Sequence, residues 1–163
     1  MAVEQADAHD VRVAVERRID APVEAVWEAV ADIDVTEAML PGCRQLRFGV
    51  DRDHVRAGDE GTATLAVDVG PLSPSFETDV TVRRRDYPEM ALTASGAAAG
   101  SQFDTTAELT VAPADEATDV RWVATATVTG RLERFAGGLR PVVEHVADRF
   151  FDRLDDRLTD RDD

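Results

Sequence analysis

The chain has 163 residues, with 33 acidic against 18 basic side chains and a formal net charge of −15. That length suits one domain in which roughly 70% of the unfolded surface can be buried, so a sizeable core needs no disulfide or metal staple. The charge argues against a nucleic-acid partner: Arg83-Arg84-Arg85 is the single basic run, no aromatic residue interleaves with it, and it reads as a solvated strand end.

Every basic residue is Arg and there is no Lys. A cationic partner is one reading. A cytoplasm of molar salt is the other, favoured because the acidity is spread through the chain, and the Debye length there falls to about 3 Å. Cys43 is the sole cysteine, so no intrachain disulfide is possible; it reads as a packed apolar residue near a turn in a reducing interior. The start carries no basic segment followed by an apolar one, and no apolar run approaches the ~20 residues that span a bilayer. The expectation is a cytoplasmic protein, at most peripheral at the inner face of the membrane.

Residues 1–10 read as a polar, disordered tail. Val11, Val13, Val15 and Ile19 then alternate with Arg12, Glu16 and Arg18, the period of a half-buried strand. Asp20 is the expected cap of a helix with Pro22 in its first turn. Along it Val23, Val26, Trp27 and Val30 fall at i, i+3, i+4 and i+7, a spacing that puts Trp27 in the core. A second short helix around Asp34–Met39 ends at Pro41-Gly42.

From Cys43 to Gly130 the period is two. Six apolar series mark one face of six strands: Leu46, Phe48, Val50; Ala63, Leu65, Val67, Val69; Phe76, Thr78, Val80, Val82; Met90, Leu92, Ala94; Phe103, Thr105, Ala107, Leu109, Val111; and Val120, Trp122, Ala124, Ala126, Val128. Their polar partners give a wet outer face, so with the first strand the expectation is a seven-stranded antiparallel sheet. Arg131–Leu158 closes the chain as a long amphipathic helix, striped by Leu132, Phe135, Leu139, Val142, Val143, Val146, Phe150 and Leu154, with a kink predicted near Pro141. The organisation is α+β: a single domain over residues 11–158 and a charged end at 159–163.

Catalytic signatures are missing. His9, His54 and His145 do not stand at metal-ligand spacing with Cys, Asp or Glu, and no phosphate-cradling loop, nucleophile context or cofactor motif is present. Asp155-Asp156 and Asp162-Asp163 read as solvated surface. The inward face of the sheet carries Phe48, Leu65, Phe76, Met90, Leu92, Phe103, Leu109 and Trp122, joined by Phe135, Val142, Val146 and Phe150 from the helix; Thr78 and Thr105 are nearly its only polar members. A solidly filled core is the simpler reading of periodicity alone. Ala63, Ala94, Ala107, Ala124 and Ala126 leave room for the other, an apolar cavity that holds a lipophilic guest.

A strand ending in Ile19-Asp20-Ala21-Pro22, followed by Val23-Glu24-Ala25-Val26-Trp27, resembles the entry to START-like (SRPBCC) proteins. Met39-Leu40-Pro41-Gly42-Cys43, Val69-Gly70-Pro71-Leu72, Gly100 opening a strand that ends at Pro113, and the Gly130 to Phe150-Phe151 helix together resemble the CoxG family of carbon monoxide dehydrogenase subunits. The resemblance implies a helix-grip fold, a curved seven-stranded sheet around a long C-terminal helix, with two short helices after strand 1. It also implies a non-catalytic accessory role: a quinone- or lipid-like ligand in a hydrophobic cavity, in support of a molybdenum hydroxylase or carbon monoxide dehydrogenase-type enzyme. Gly70, Pro71 and Leu72, with Ser95–Gly100 (Gly96 and Gly100 included), would be pocket-mouth loops. Many members carry an apolar C-terminal extension that engages the membrane, whereas this sequence ends on acidic residues. Two alternatives stay open: a polyketide cyclase-like enzyme, which would need inward acid–base groups beyond the lone Tyr87, and an interaction domain with a filled core.

Overall fold

The computed structural model describes residues 8–66, 75–98, 100–130 and 136–160. In chain order these form β1 (Ala8–Ile19), α1 (Val23–Ala31), α2 (Ile33–Met39), β2 (Cys43–Phe48), β3 (Glu60–Ala66), β4 (Ser75–Asp86), β5 (Glu89–Ala98), β6 (Ser101–Ala114), β7 (Ala117–Gly130) and α3 (Ala136–Asp160). The strands make one antiparallel sheet of order β1-β7-β6-β5-β4-β3-β2. The long helix α3 lies against its inner face, the architecture the alternation and the closing apolar stripe predict.

β1 starts earlier than the sequence suggests. Ala8–Asp10 pair with Thr127–Thr129 of β7, and the Asp10 carboxylate accepts a hydrogen bond from the Thr127 hydroxyl at 2.8 Å, so these residues belong to the sheet and not to a tail. Residues 1–7 lie outside the described part. Asp20 does not cap α1: Pro22 occupies the N-cap with no side-chain bond, and the Asp20 backbone N–H instead donates to the Asp155 carboxylate at 3.0 Å. Asp155, expected on solvated surface, is therefore a clamp between α3 and the turn after β1. At α2 the capping logic holds, with Asp32 accepting from the Val35 N–H at 3.1 Å.

The turn from α2 into β2 uses Gly42 at φ +80, where a Cβ would stand 2.1 Å from the Ala66 carbonyl oxygen; both facts require glycine. α3 runs continuously through Pro141. It is held to the rest by Arg17, whose guanidinium bonds Asp152 and the Asp148 carbonyl, and by Arg153 donating to the Met39 carbonyl at 3.4 Å.

The core is displaced to one end of the sheet. Ile19, Val26, Val82, Val111 and Leu154 are essentially fully buried there, with Phe151 and Leu158 from α3. Thr118 is buried among them, its hydroxyl donating to the Ala21 carbonyl at 2.8 Å. A second apolar cluster, Val11, Val13, Phe76 and Val128, sits towards the other end. Between the two, the inner face is not filled.

Candidate functional site

The gap is a cavity of about 380 Å³. Its floor follows from register. One rung across the sheet reads Gly61, Val80, Ala94, Thr105, Ala126 and Val11, and the next reads Val82, Leu92, Ala107, Ala124 and Val13. Alanine recurs where a filled core would place Leu or Phe, so the floor is low. Two aromatic side chains are laid flat by the same means: a Cβ on Gly61 would lie 2.7 Å from the Phe48 ring, and one on Gly96 would lie 2.3 Å from the Phe103 ring. Phe48 faces Gly61 across β2–β3, and Phe103 faces Gly96 across β5–β6. Each glycine removes the side chain that would otherwise stand the ring up into the space.

The roof is α3, through Val142, Val143, Val146, Ala147, Phe150 and Phe151. Val30 and Ala31 of α1, Ile33 and Thr36 of α2, Leu40 just beyond it and Val55 of the β2–β3 loop close the remaining side. That loop is tied down by a bidentate pair: Arg52 donates two hydrogen bonds of 2.8 Å to Asp59, which is 8% exposed and also accepts from the Arg56 N–H.

Of the residues singled out from sequence, Phe48, Leu65, Thr78, Met90, Leu92, Phe103, Thr105, Trp122, Val142, Val146 and Phe150 line the cavity. Phe76 does not. It is buried one layer back, with its ring edge-on to Phe103 at 5.2 Å between centroids, so it props a lining residue. Gly96 is not in a mouth loop either: it lies within β5, which runs to Ala98, and pairs with Phe103 of β6, whereas Gly100 stands just before β6 at φ +83. Gly70, Pro71, Leu72 and Phe135 lie outside the described residues. The sequence reading missed the contributions of α1, α2 and β1. Ile33, Thr36 and Leu40 fall at i, i+3 and i+7, a signal that was available there.

The polar inventory is short. Thr78 is 2% exposed and its hydroxyl makes one long bond, 3.4 Å, to the Phe76 carbonyl; Thr36 makes a similar one to Val30. Thr105 has no hydrogen-bond partner among the described residues, which leaves its hydroxyl free for a guest. Glu108 touches the cavity wall, but its side chain belongs to the exposed outer face, in register with Ala91 and Val123. No Arg, Lys, His, Asp, Tyr or Cys lines the space among the described residues.

Titratable groups gather elsewhere. A register break between Val82 and Arg84 turns Arg85 inward. It is not the solvated strand end expected of the basic run: its guanidinium stacks over the Trp27 ring at 3.8 Å and donates to the Trp27 carbonyl at 2.8 Å. Burial lowers its pKa, against the favourable charge of Glu28. Trp27 packs against the core and is absent from the lining, as its helical spacing predicts. His54 stands 3.6 Å from the Glu28 carboxylate and 3.8 Å from Asp32, a meeting that sequence spacing does not show. Among the described residues no group of three His, Cys, Asp or Glu is placed to hold a metal ion. Cys43 is half-buried, and burial raises its thiol pKa.

The fold and this cavity define a START-like (SRPBCC) helix-grip protein. A conserved protein from Geobacillus kaustophilus superimposes with a TM-score of 0.77 at 17% identity, over 92% of this chain and 96% of its own. An aromatase/cyclase from a Streptomyces species gives 0.67 at 15%, over 95% and 97%. Norcoclaurine synthase from Thalictrum flavum gives 0.63 at 12%, over 96% and 91%. At these identities the likeness is one of fold. No curated protein matches the sequence significantly. The family described as CoxG, a subunit of carbon monoxide dehydrogenase, matches residues 16–159, and the chain belongs to it. Among the described residues no helix is long and apolar enough to cross a membrane.

Proposed function

We propose that this protein is a non-catalytic accessory factor that takes up a lipophilic, quinone- or lipid-like molecule in its cavity and serves a molybdenum hydroxylase or carbon monoxide dehydrogenase-type enzyme from the cytoplasmic side, meeting the membrane at most peripherally. One observation carries the reading: an apolar space of about 380 Å³, within the range of ligand pockets, with threonine hydroxyls as its inward polar groups. Affinity then comes from burial, at roughly 25 cal/mol per Å² of apolar surface. General acid–base chemistry needs a titratable group within reach of the reacting atom, and in the described lining the one such residue, Glu108, turns its carboxylate to the outer face, which favours carriage over cyclase chemistry. Family membership supports the choice of partner enzyme.

The test is uptake of a short-chain quinone, read by quenching of Trp122 in a Trp27→Phe background and by native mass spectrometry. Saturable one-to-one uptake, lost in Phe103→Asp, is expected. Undiminished uptake by Phe103→Asp, or none by the unaltered chain, overturns the reading. Co-purification with molybdenum hydroxylase subunits from the native host tests the partner separately.

A further inference from the structure

We propose that β1 is a self-pairing edge, through which two copies of this chain join antiparallel about Ala14 and continue the sheet across a two-fold axis. Among the described residues β1 ends the sheet: β7 is its one strand partner there, and the pairing runs from Ala8 to Ile19 without a register break. Every second residue of such a strand turns its N–H and C=O away from its neighbour. Edges are ordinarily blunted by shortness, bulges, Pro, charged side chains or a covering helix. The opposite edge, β2, follows that rule, with six residues and a bulge after Cys43. β1 has twelve residues, no Pro and no bulge; α3 packs on its inner side through Arg17, and its guard is the row of charges on the outer face.

Its outward charges select one partner. Asp10, Arg12, Ala14, Glu16 and Arg18 are exposed along the outer face. Antiparallel pairing about Ala14 sets Arg12 opposite Glu16 and Asp10 opposite Arg18, each twice by symmetry. Residues on one face pair only with that face, so the register moves in steps of two. A step one way sets Asp10 against Glu16, and a step the other way sets Arg12 against Arg18; both are repulsive. Asp10 and Arg18 already have partners in Thr127 and Asp119. Arg12 and Glu16 have no ion pair among the described residues, although Arg121 lies opposite Glu16 on β7. These two are left over for the second copy.

Sedimentation equilibrium of the full chain tests this. The unaltered protein is expected to dimerise, and Arg12→Glu to raise the dissociation constant by about tenfold or more, since two favourable cross-strand pairs become repulsive. The charge-swapped Arg12→Glu/Glu16→Arg restores dimerisation, which a mere folding defect would not. In a Cys43→Ser background, Ala14→Cys oxidises to a covalent dimer, because directly opposed residues lie within disulfide reach. Thr106→Cys, in the middle of the same outer face, does not. A monomeric unaltered chain, a swap that fails to rescue, or equal cross-linking of the two cysteine variants overturns the proposal.

Discussion

Filling the cavity should stabilise the protein while abolishing uptake, and the sign of the stability change separates an empty space from a packed core. Ala94 and Ala124 both line the floor, on different rungs and separated by β6, so their effects should add. Changing both to Leu adds three carbons each, worth about 5 kcal/mol together at ~0.8 kcal/mol per buried carbon. Fixing two leucine side chains costs about 1–2 kcal/mol. The net gain is about 3 kcal/mol, or a rise of roughly 6–12 °C in Tm for a chain of this size. If the space were already packed, each enlargement would cost about 1–3 kcal/mol instead. The assay is calorimetry of ligand-free protein at high KCl, alongside quinone titration. A fall in Tm with uptake retained would refute the reasoning from the floor upwards.

Asp59→Ala should cost about 3 kcal/mol, the lower end for breaking a buried ion pair since Arg52 is partly solvated, and denaturant unfolding measures it; a loss under about 0.5 kcal/mol would show that Asp59 does not hold the loop. For Cys43 the raised thiol pKa means that the folded state favours the protonated form. Stability from this group is full below the unfolded pKa and is lost as pH rises through the folded one, so alkylation of native protein should stay slower than of unfolded protein until pH passes that higher value. Equal rates across the alkaline range would contradict the burial assigned to Cys43. With 33 acidic against 18 basic side chains, stability should climb from low to multimolar KCl as self-repulsion is screened. Maximal stability at low salt would exclude adaptation to a saline cytoplasm.

Among the described residues period-two alternation was enough to place the strands and, away from bulges, the face their residues present, because burial on one side of a sheet leaves that mark. Val50 falls beyond the end of β2, and Val67 and Val69 lie outside the described residues. Depth was not legible. Phe76 and Phe103 share a face, yet one props the other, and the difference comes from Gly96, whose missing side chain lets the Phe103 ring lie down. Parity also fails wherever a strand bulges: the break between Val82 and Arg84 carries Arg85 to the inner face against Trp27. Contacts distant in sequence, such as Asp155 with the Asp20 N–H or His54 beside Glu28, depend on how helices dock. No local pattern encodes that.

The inventory of lining residues also bears on the guest. A carboxylate held among Val, Leu, Ala and Phe would meet no counter-charge among the described residues, and the threonine hydroxyls cannot offset the several kcal/mol lost on leaving water. A carbonyl or ester oxygen needs one donor, which the uncommitted Thr105 hydroxyl supplies. A medium-chain fatty acid and its methyl ester, matched in length, therefore make a discriminating pair. At about pH 8 the acid is ionised, and the ester should bind at least about tenfold more tightly. As pH falls towards the ordinary carboxyl pKa near 4.3, the acid becomes neutral and the gap should close. Competition against a bound quinone reads both affinities on one protein. Equal binding at the higher pH would mean that a cation reaches the guest, and the apolar account of the cavity would fail.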